Sequence, residues 1–347
     1  MTGSVMTRRF LLIASLAVGV GLAYATLAPT RAAELPTRLS DQEFWRLSTD
    51  SSEPNGFFRS DNLTSNELWF QYVIPDLVSR TRAGGVYLGV GPEQNFTYMA
   101  AVRPAVAIIF DIRRGNMLVQ LMYKAIFELA KDRADFVSML FSKPRPSGLG
   151  PASSAVDLFS AFAKSRRNEA LYTQNLKAIQ NHLTKTHGLP LSSADLNGIE
   201  YAYDAFYRSG FAVRPSPTYA ELMTETDEAG ASRSYLATEA SFMLLKDLES
   251  RNLVIPVVGD FGGPKAIRAV GAYLKAHDAM VSAFYLSNVE QYLYQDNKWT
   301  AFCKNVATLP LDQSSTFIRS SSRGSVGRSR FVSSLGAMAD EVKTCGN

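Results

Sequence analysis

Short runs that are apolar on successive residues alternate along this chain with longer stretches whose apolar residues recur every three or four positions. "GVYLGV" at 85–90, "AVAIIFDI" at 105–112, "NLVIPVVGD" at 252–260 and "MVSAFYLSN" at 280–288 are runs of the first kind. Rich in branched residues, they suit strands buried on both faces of a parallel sheet. Between them Leu118, Leu121, Met122, Ala125, Ile126 and Leu129 mark one face of a helix over about 115–132. Further helices are expected over about 92–102, 234–250 and 264–276. The order implies right-handed βαβ crossovers.

Upstream, Thr64 followed by Glu67 has capping-box spacing, which predicts a helix over about 65–82 weakened at Pro75. Residues 34–63 read as irregular. From about 133 to 215 the alternation stops, and helical patterns over 155–184 and 192–209 follow the loop "SKPRPSGLGP". This block has too few apolar residues for a core of its own and reads as an inserted helical cap. "STFIRS" suggests a last strand, "SSRGSVGRSR" a loop and 333–344 a terminal helix. The expected fold class is α/β: a doubly wound, mostly parallel sheet in a single domain over 34–347, with a helical insertion at about 133–215.

The N-terminus changes the picture of where this domain works. Arg8 and Arg9 precede an uncharged apolar run from Phe10 to Ala25, with small-x-small sites at Ala23-Tyr24-Ala25 and Thr30-Arg31-Ala32. That is the layout of a cleaved export signal over 1–33, and "TRRFLL" approximates the twin-arginine type. The run is short for a membrane span, so a periplasmic or extracellular protein with no membrane association after cleavage is expected. Losing residues 1–33 removes three arginines and no acid, so the net charge falls from +4 to +1. Nothing in that balance marks a nucleic-acid partner. Cys303 and Cys345 are the only cysteines, and an oxidising compartment permits them to pair.

In a parallel α/β sheet, ligands bind outside the carboxyl ends of the strands. Three features fall there: the turn from Gly89 to Asn95, Asp111, and Gly259-Asp260. Gly89 and Gly91 permit close backbone approach, and Pro92 fits a first helical position. A dinucleotide fingerprint would place a third glycine where Gln94 stands, which speaks against NAD or FAD. Asp111 lies 20 residues after Gly91, the distance at which a carboxylate meets ribose hydroxyls. The bland alternatives are a ligand-free turn and an ion pair of Asp111 with Arg113 or Arg114.

Together, the glycine turn, the acid after strand two and "GD" after strand three resemble the S-adenosylmethionine-dependent methyltransferase superfamily. The stretches "YLGVGPEQNFTY", "SDNLTSNE" and "FYLSNVEQYL" are also similar to an uncharacterised bacterial family of methyltransferase-like fold. The resemblance implies a small-molecule cofactor, S-adenosylmethionine, held by Gly89, Gly91, Glu93, Gln94, Asn95, Asp111 and Asp260. It implies an acceptor side formed by Ser287, Asn288, Glu290 and Gln291, with Tyr285 and Tyr292 as walls. Ser60, Asp61, Asn62, Asn66 and Glu67 would line the same cleft or else serve as caps and turns. Export sits poorly with a cytoplasmic donor, so a non-enzymatic exported binding or interaction protein on the same scaffold stays open; it predicts an occluded turn or an Asp111 tied up by an arginine. A hydrolase using Glu290 or Asp260 as base has no supporting motif.

His182, His187 and His277 lack nucleophile motifs and metal-ligand spacing, and all three are expected at the surface with no metal. "DFG" at 260–262 has no kinase companions. Arg319, Arg323, Arg328 and Arg330 read as a solvated basic loop.

Overall fold

The computed structural model describes residues 34–214, 216–323 and 330–345. The export segment expected over 1–33 and Arg328 lie outside them. Among the described residues no helix is long and apolar enough to cross a membrane.

The stretch 34–63 is not wholly irregular. Helix α1 (Asp41–Ser51) starts at a capping box in which the Ser40 hydroxyl accepts the Glu43 N–H at 3.2 Å and the Glu43 carboxylate accepts the Ser40 N–H at 2.8 Å. The spacing of Ser40 and Glu43 in "SDQE" is the signal that could have marked it, and the expectation of an irregular stretch passed over it. The helix expected over 65–82 is shorter than its pattern. Thr64 caps nothing, residues 65–69 are extended or turn, a 3₁₀ turn covers Phe70–Val73, and α2 is only Ile74–Arg80. Pro75 sits in the first turn of α2, where its missing N–H leaves no bond unmade, so it starts the helix rather than kinking it.

Strand β1 (Val86–Val90) leads through α3 (Gln94–Val102) to β2 (Val106–Asp111), and α4 (Arg114–Leu129) follows. The block between there and the next strand holds α5 (Arg133–Phe141), α6 (Ala155–Ala163), α7 (Glu169–Asn181), α8 (Ser193–Ser209), α9 (Tyr219–Thr224) and α10 (Glu239–Ser250). These helices share the main core: α5, α7 and α8 pack on α4, and the Tyr123 ring of α4 lies 6.0 Å from Phe206 of α8. Next come β3 (Val254–Val258), α11 (Ala266–Ala276), β4 (Val281–Ser287), α12 (Val289–Gln295) and α13 (Trp299–Val306). The chain ends in β5 (Thr316–Arg323), β6 (Arg330–Ala337) and α14 (Met338–Thr344).

The terminal helix expected from 333 therefore begins only at Met338. Gly336, a poor helix residue, pairs instead with Phe317 across an antiparallel β5–β6 ladder. Arg319 is not in a solvated loop. It lies in β5, where its guanidinium binds Glu290 at 2.8 Å and Glu341 at 2.5 Å.

The six strands run β3-β2-β1-β4-β5-β6, parallel throughout except for β6. The order reverses between β1 and β4, the switch point of a doubly wound sheet. Right-handed crossovers place α3, α4 and α10 on one face and α1, α11 and α13 on the other. Every residue of β2 and β3 is buried, as a strand covered on both sides demands.

Cys303 of α13 and Cys345, just past α14, form a disulfide with their Cα atoms 5.5 Å apart and a sequence separation of 42. Closing a loop of that length restricts the unfolded chain. Replacing both cysteines by serine is expected to cost about 2–4 kcal/mol, read as a lower denaturant midpoint. An unchanged midpoint would show that the terminal helix is held by packing alone.

Candidate functional site

At the end of β1 the backbone leaves the ladder while still buried, and its carbonyls need partners. The Asn95 side-chain amide donates to the carbonyls of Val90 at 2.9 Å and Pro92 at 2.7 Å, while Asn95 Oδ1 accepts from the Tyr87 hydroxyl at 2.9 Å. The Gly91 carbonyl accepts from Gln120 at 2.9 Å and Asn116 at 3.2 Å, both from α4. Two glycines make this possible in different ways. A β-carbon on Gly89 would overlap Asn95 Oδ1, whereas Gly91 has open space beside it but a φ of +78°.

Beyond this turn opens a cavity of about 320 Å³, at the lower end of the roughly 300–1,000 Å³ of small-molecule sites. Its wall on the β2 side is Gly91, Pro92 and Asp111, and on the β3 side Gly259 and Asp260. On the β4 side stand Tyr285, Ser287, Asn288 and Tyr292. Ser60, Asn62, Asn66 and Glu67 close it from the segment before β1. The structure thus brings residues from five separate stretches into one space.

Other residues singled out in the sequence stand elsewhere. Gly89, Glu93, Gln94 and Asn95 do not line the cavity; they brace the turn behind it, with Glu93, Gln94 and Asn95 fully buried. Asp61 accepts from the Tyr201 hydroxyl at 2.6 Å outside the wall. Glu290 points to Arg319, and Gln291 is exposed. The sequence reading missed Phe57, Phe58 and Arg59, Arg214, and Lys298, all of which line the cavity. They come from loops and helix starts with no periodicity to mark them.

Each acid at a strand end meets a cation. Asp111 accepts the Arg113 N–H at 2.8 Å, and the Arg113 guanidinium lies 3.4 Å from the same oxygen. Burial pushes the Asp111 carboxyl up, and Arg113 pulls it back. Asp260 binds Lys298 at 2.5 Å and accepts the Gly262 N–H at 2.9 Å. Glu53 reaches across to accept the N–H groups of Lys265 at 2.7 Å and Ala266 at 2.9 Å, giving α11 a cap from a distant residue.

Opposite, Glu67 is buried and its carboxyl is raised by that burial, against hydrogen bonds from the Ser287 hydroxyl and from Gln94 at 2.9 Å. Ser287 has a φ of +53°, an uncommon conformation for a residue with a β-carbon, and it presents its hydroxyl at the strand-to-helix turn. A buried carboxyl on a hydroxyl at a cavity wall is an arrangement that can accept a proton.

A family model described as Domain of unknown function (DUF7790) matches residues 61–340. The chain belongs to the DUF7790 family. The matched span takes in Glu67, Asp111, Asp260 and Ser287 and begins just after Arg59 and Ser60. Comparison with curated proteins finds no match.

Two of the three histidines are not the surface residues expected. His182 and His187 have side chains only 16% and 11% exposed, and both reach Glu128. His277 is half-buried against Tyr273.

The two glycines are separable by experiment. Gly89→Ala is expected to cost about 3 kcal/mol or more because it displaces the buried Asn95 amide, and Gly91→Ala about 1–2 kcal/mol for its backbone alone. Chemical denaturation of the two variants measures this; equal costs would contradict the bracing role of Asn95.

Glu93 makes a second test. Burial pushes its carboxyl up to about 7, although it accepts the Ser65 N–H. The folded state then holds a proton that the unfolded chain releases near its ordinary value of 4.5. Stability attributable to this group is full below pH 4.5 and is lost as pH rises through about 7. Glu93→Gln is expected to match the wild type near pH 4.5 and to gain on the order of 2 kcal/mol near pH 8. Denaturant midpoints across that range decide it, and parallel curves for the two proteins would count against the raised carboxyl.

Proposed function

We propose that the cleft at the β1/β4 switch point binds a nucleoside-type ligand and that its reaction is methyl transfer dependent on S-adenosylmethionine, on a methyltransferase-like variant of the doubly wound fold. The observation that supports this most is a single cavity joining Gly91 and Asp111 on one side to Ser287, Asn288 and Glu67 on the other.

The residues present fit such a group. Asp111 Oδ2 has one distant contact, Arg113 Nη2 at 3.5 Å, so that oxygen retains room to accept from a ribose hydroxyl. Gly91 leaves the space beside its backbone open. Tyr292 and Phe58, whose rings meet edge to face at 5.0 Å, offer an apolar wall. The cofactor, when bound, supplies a methyl activated on a sulfonium.

The chain's own part is alignment and proton handling. Ser287 and Asn288 orient an acceptor at the β4 end, and Glu67 takes the proton that the acceptor loses as its bond to carbon forms. Burial raises the Glu67 carboxyl above the ordinary carboxylate range, which makes it a stronger base than an exposed glutamate. Export is part of this reading: a chain that folds before crossing the membrane carries its ligand with it.

A second reading, a non-enzymatic exported binding protein, is favoured by the Asp111–Arg113 and Asp260–Lys298 pairs. Calorimetry separates the possibilities. S-adenosylmethionine or its demethylated product is expected to bind, and Asp111→Asn to weaken that binding about 10- to 100-fold, the worth of a hydrogen bond to a charged group. No heat and no thermal shift with either compound would end the methyltransferase reading. Binding without transfer to any acceptor, unaltered in Glu67→Gln, would favour the binding protein.

A further inference from the structure

Helix α4 begins just after Asp111 at the cleft end of the sheet and runs 16 residues, with Glu128 in its last turn, and the chain after α7 brings two imidazoles to that glutamate. His182 Nε2 and His187 Nε2 lie 2.5 and 2.6 Å from the same oxygen, Glu128 Oε2. The rings stand at 89° with their centroids 4.9 Å apart. The three donor atoms all fall within 4.8 Å of one another.

The backbone explains how residues five apart converge. On an α-helix they would point about 140° apart. Here α7 widens into a π-helical turn over His182–Thr186, closed by the His187 N–H on the His182 carbonyl at 3.0 Å. One π turn takes more than four residues, which carries the sixth residue back over the first. Such turns are rare and cluster at functional positions.

The surroundings also match. His187 offers its other ring nitrogen, Nδ1, to Asp41 Oδ1 at 2.6 Å, and Asn252 holds that same oxygen at 2.9 Å. A carboxylate behind a histidine is the partner that fixes ring orientation in metal sites. Lys124 occupies the other Glu128 oxygen, Oε1, at 2.7 Å and donates to the Glu249 carbonyl at 2.5 Å. Oε2 is thereby left to face the imidazoles.

We propose that Glu128, His182 and His187 form a binding site for one divalent transition ion of the zinc class. Two nitrogens and one carboxylate oxygen are the donor set that zinc takes, with a fourth position left for water. Each imidazole nitrogen lies 2.5–2.6 Å from Glu128 Oε2, and a tetrahedral ion with bonds of about 2.0–2.1 Å needs its donors about 3.3 Å apart. Each imidazole therefore has to move back from the carboxylate by somewhat under about 1 Å to admit the ion. The ion joins α4 to the segment after α7 and, through Asp41, to α1. It acts as a staple on the face of the molecule remote from the cleft, independent of what the cleft binds.

The untagged full chain, freed of metal by a chelator, is titrated with Zn²⁺ by calorimetry and with Co²⁺ by visible absorption. One ion per chain and a four-coordinate Co²⁺ spectrum are expected, with a thermal midpoint raised by Zn²⁺. The double variant His182→Gln and His187→Gln is expected to lose at least about 100-fold in affinity, Asp41→Asn about 10- to 100-fold, and His277→Gln nothing. The absence of saturable uptake by the wild-type chain overturns the assignment whatever the variants do. So does uptake that survives in the folded double variant or that disappears in His277→Gln.

Discussion

A carbonyl shielded from water at the end of a ladder must find a donor, and three successive carbonyls at the end of β1 meet this demand with side chains. Val90, Gly91 and Pro92 are served by the side-chain amides of Asn95, Asn116 and Gln120. Each unmade bond there would cost about 1–3 kcal/mol. The geometry of the cleft follows from meeting this demand. Asn95 fixes the start of α3, α4 is tied to the turn, and Gly89 must stay without a side chain so that the Asn95 amide can enter. What is left uncovered beyond Gly91 is the cavity.

The same logic explains why so many polar groups are buried behind that wall. Gln94 donates to Glu67 and to the Tyr98 hydroxyl at 3.1 Å, and Glu93 receives the Ser65 N–H. These bonds pin the non-helical segment 65–69 against the start of α3. That segment has a helical apolar pattern, yet its side chains and backbone are taken up by α3 and β4: Ser65 N–H by Glu93, and Glu67 by Gln94 and Ser287. Tertiary hydrogen bonding overrides local propensity here.

What was legible in the sequence is the periodic part. β1 to β4, the helices between them and the positions of Gly91, Asp111 and Asp260 at strand ends follow from apolar runs and their spacing. Glu93, Gln94 and Asn95 were legible as a turn but not as bracing, because whether a side chain faces in or out of a helix start depends on the partner that meets it. Phe58, Arg59, Arg214 and Lys298 were silent, since loops carry no period. Residues 333–337 of β6 were read as the start of the terminal helix and its first residue as loop, because the Ser- and Gly-rich stretch carries no alternation to mark a strand; its partner β5 lies only six residues upstream. His182 and His187 failed for a sharper reason: their spacing of five is wrong for an α-helix and right only once the helix widens into a π turn.

The pairing of Asp111 with Arg113 does not by itself make the cleft inert. The Arg113 N–H and Nε both engage Asp111 Oδ1, while Oδ2 has the long contact from Arg113 Nη2 at 3.5 Å, so the pair bears mainly on one oxygen. Breaking such a buried pair is costly, and a ligand that needed to displace Arg113 would bind weakly. A diol has no such need. It can donate to Oδ2, the oxygen that Arg113 holds less closely, while the Arg113 contacts at Oδ1 work against burial to favour the ionised carboxylate, which is the stronger acceptor. The arginine then orients the acid rather than blocking it, and the distinction between a working site and an occluded one rests on which oxygen the ligand meets.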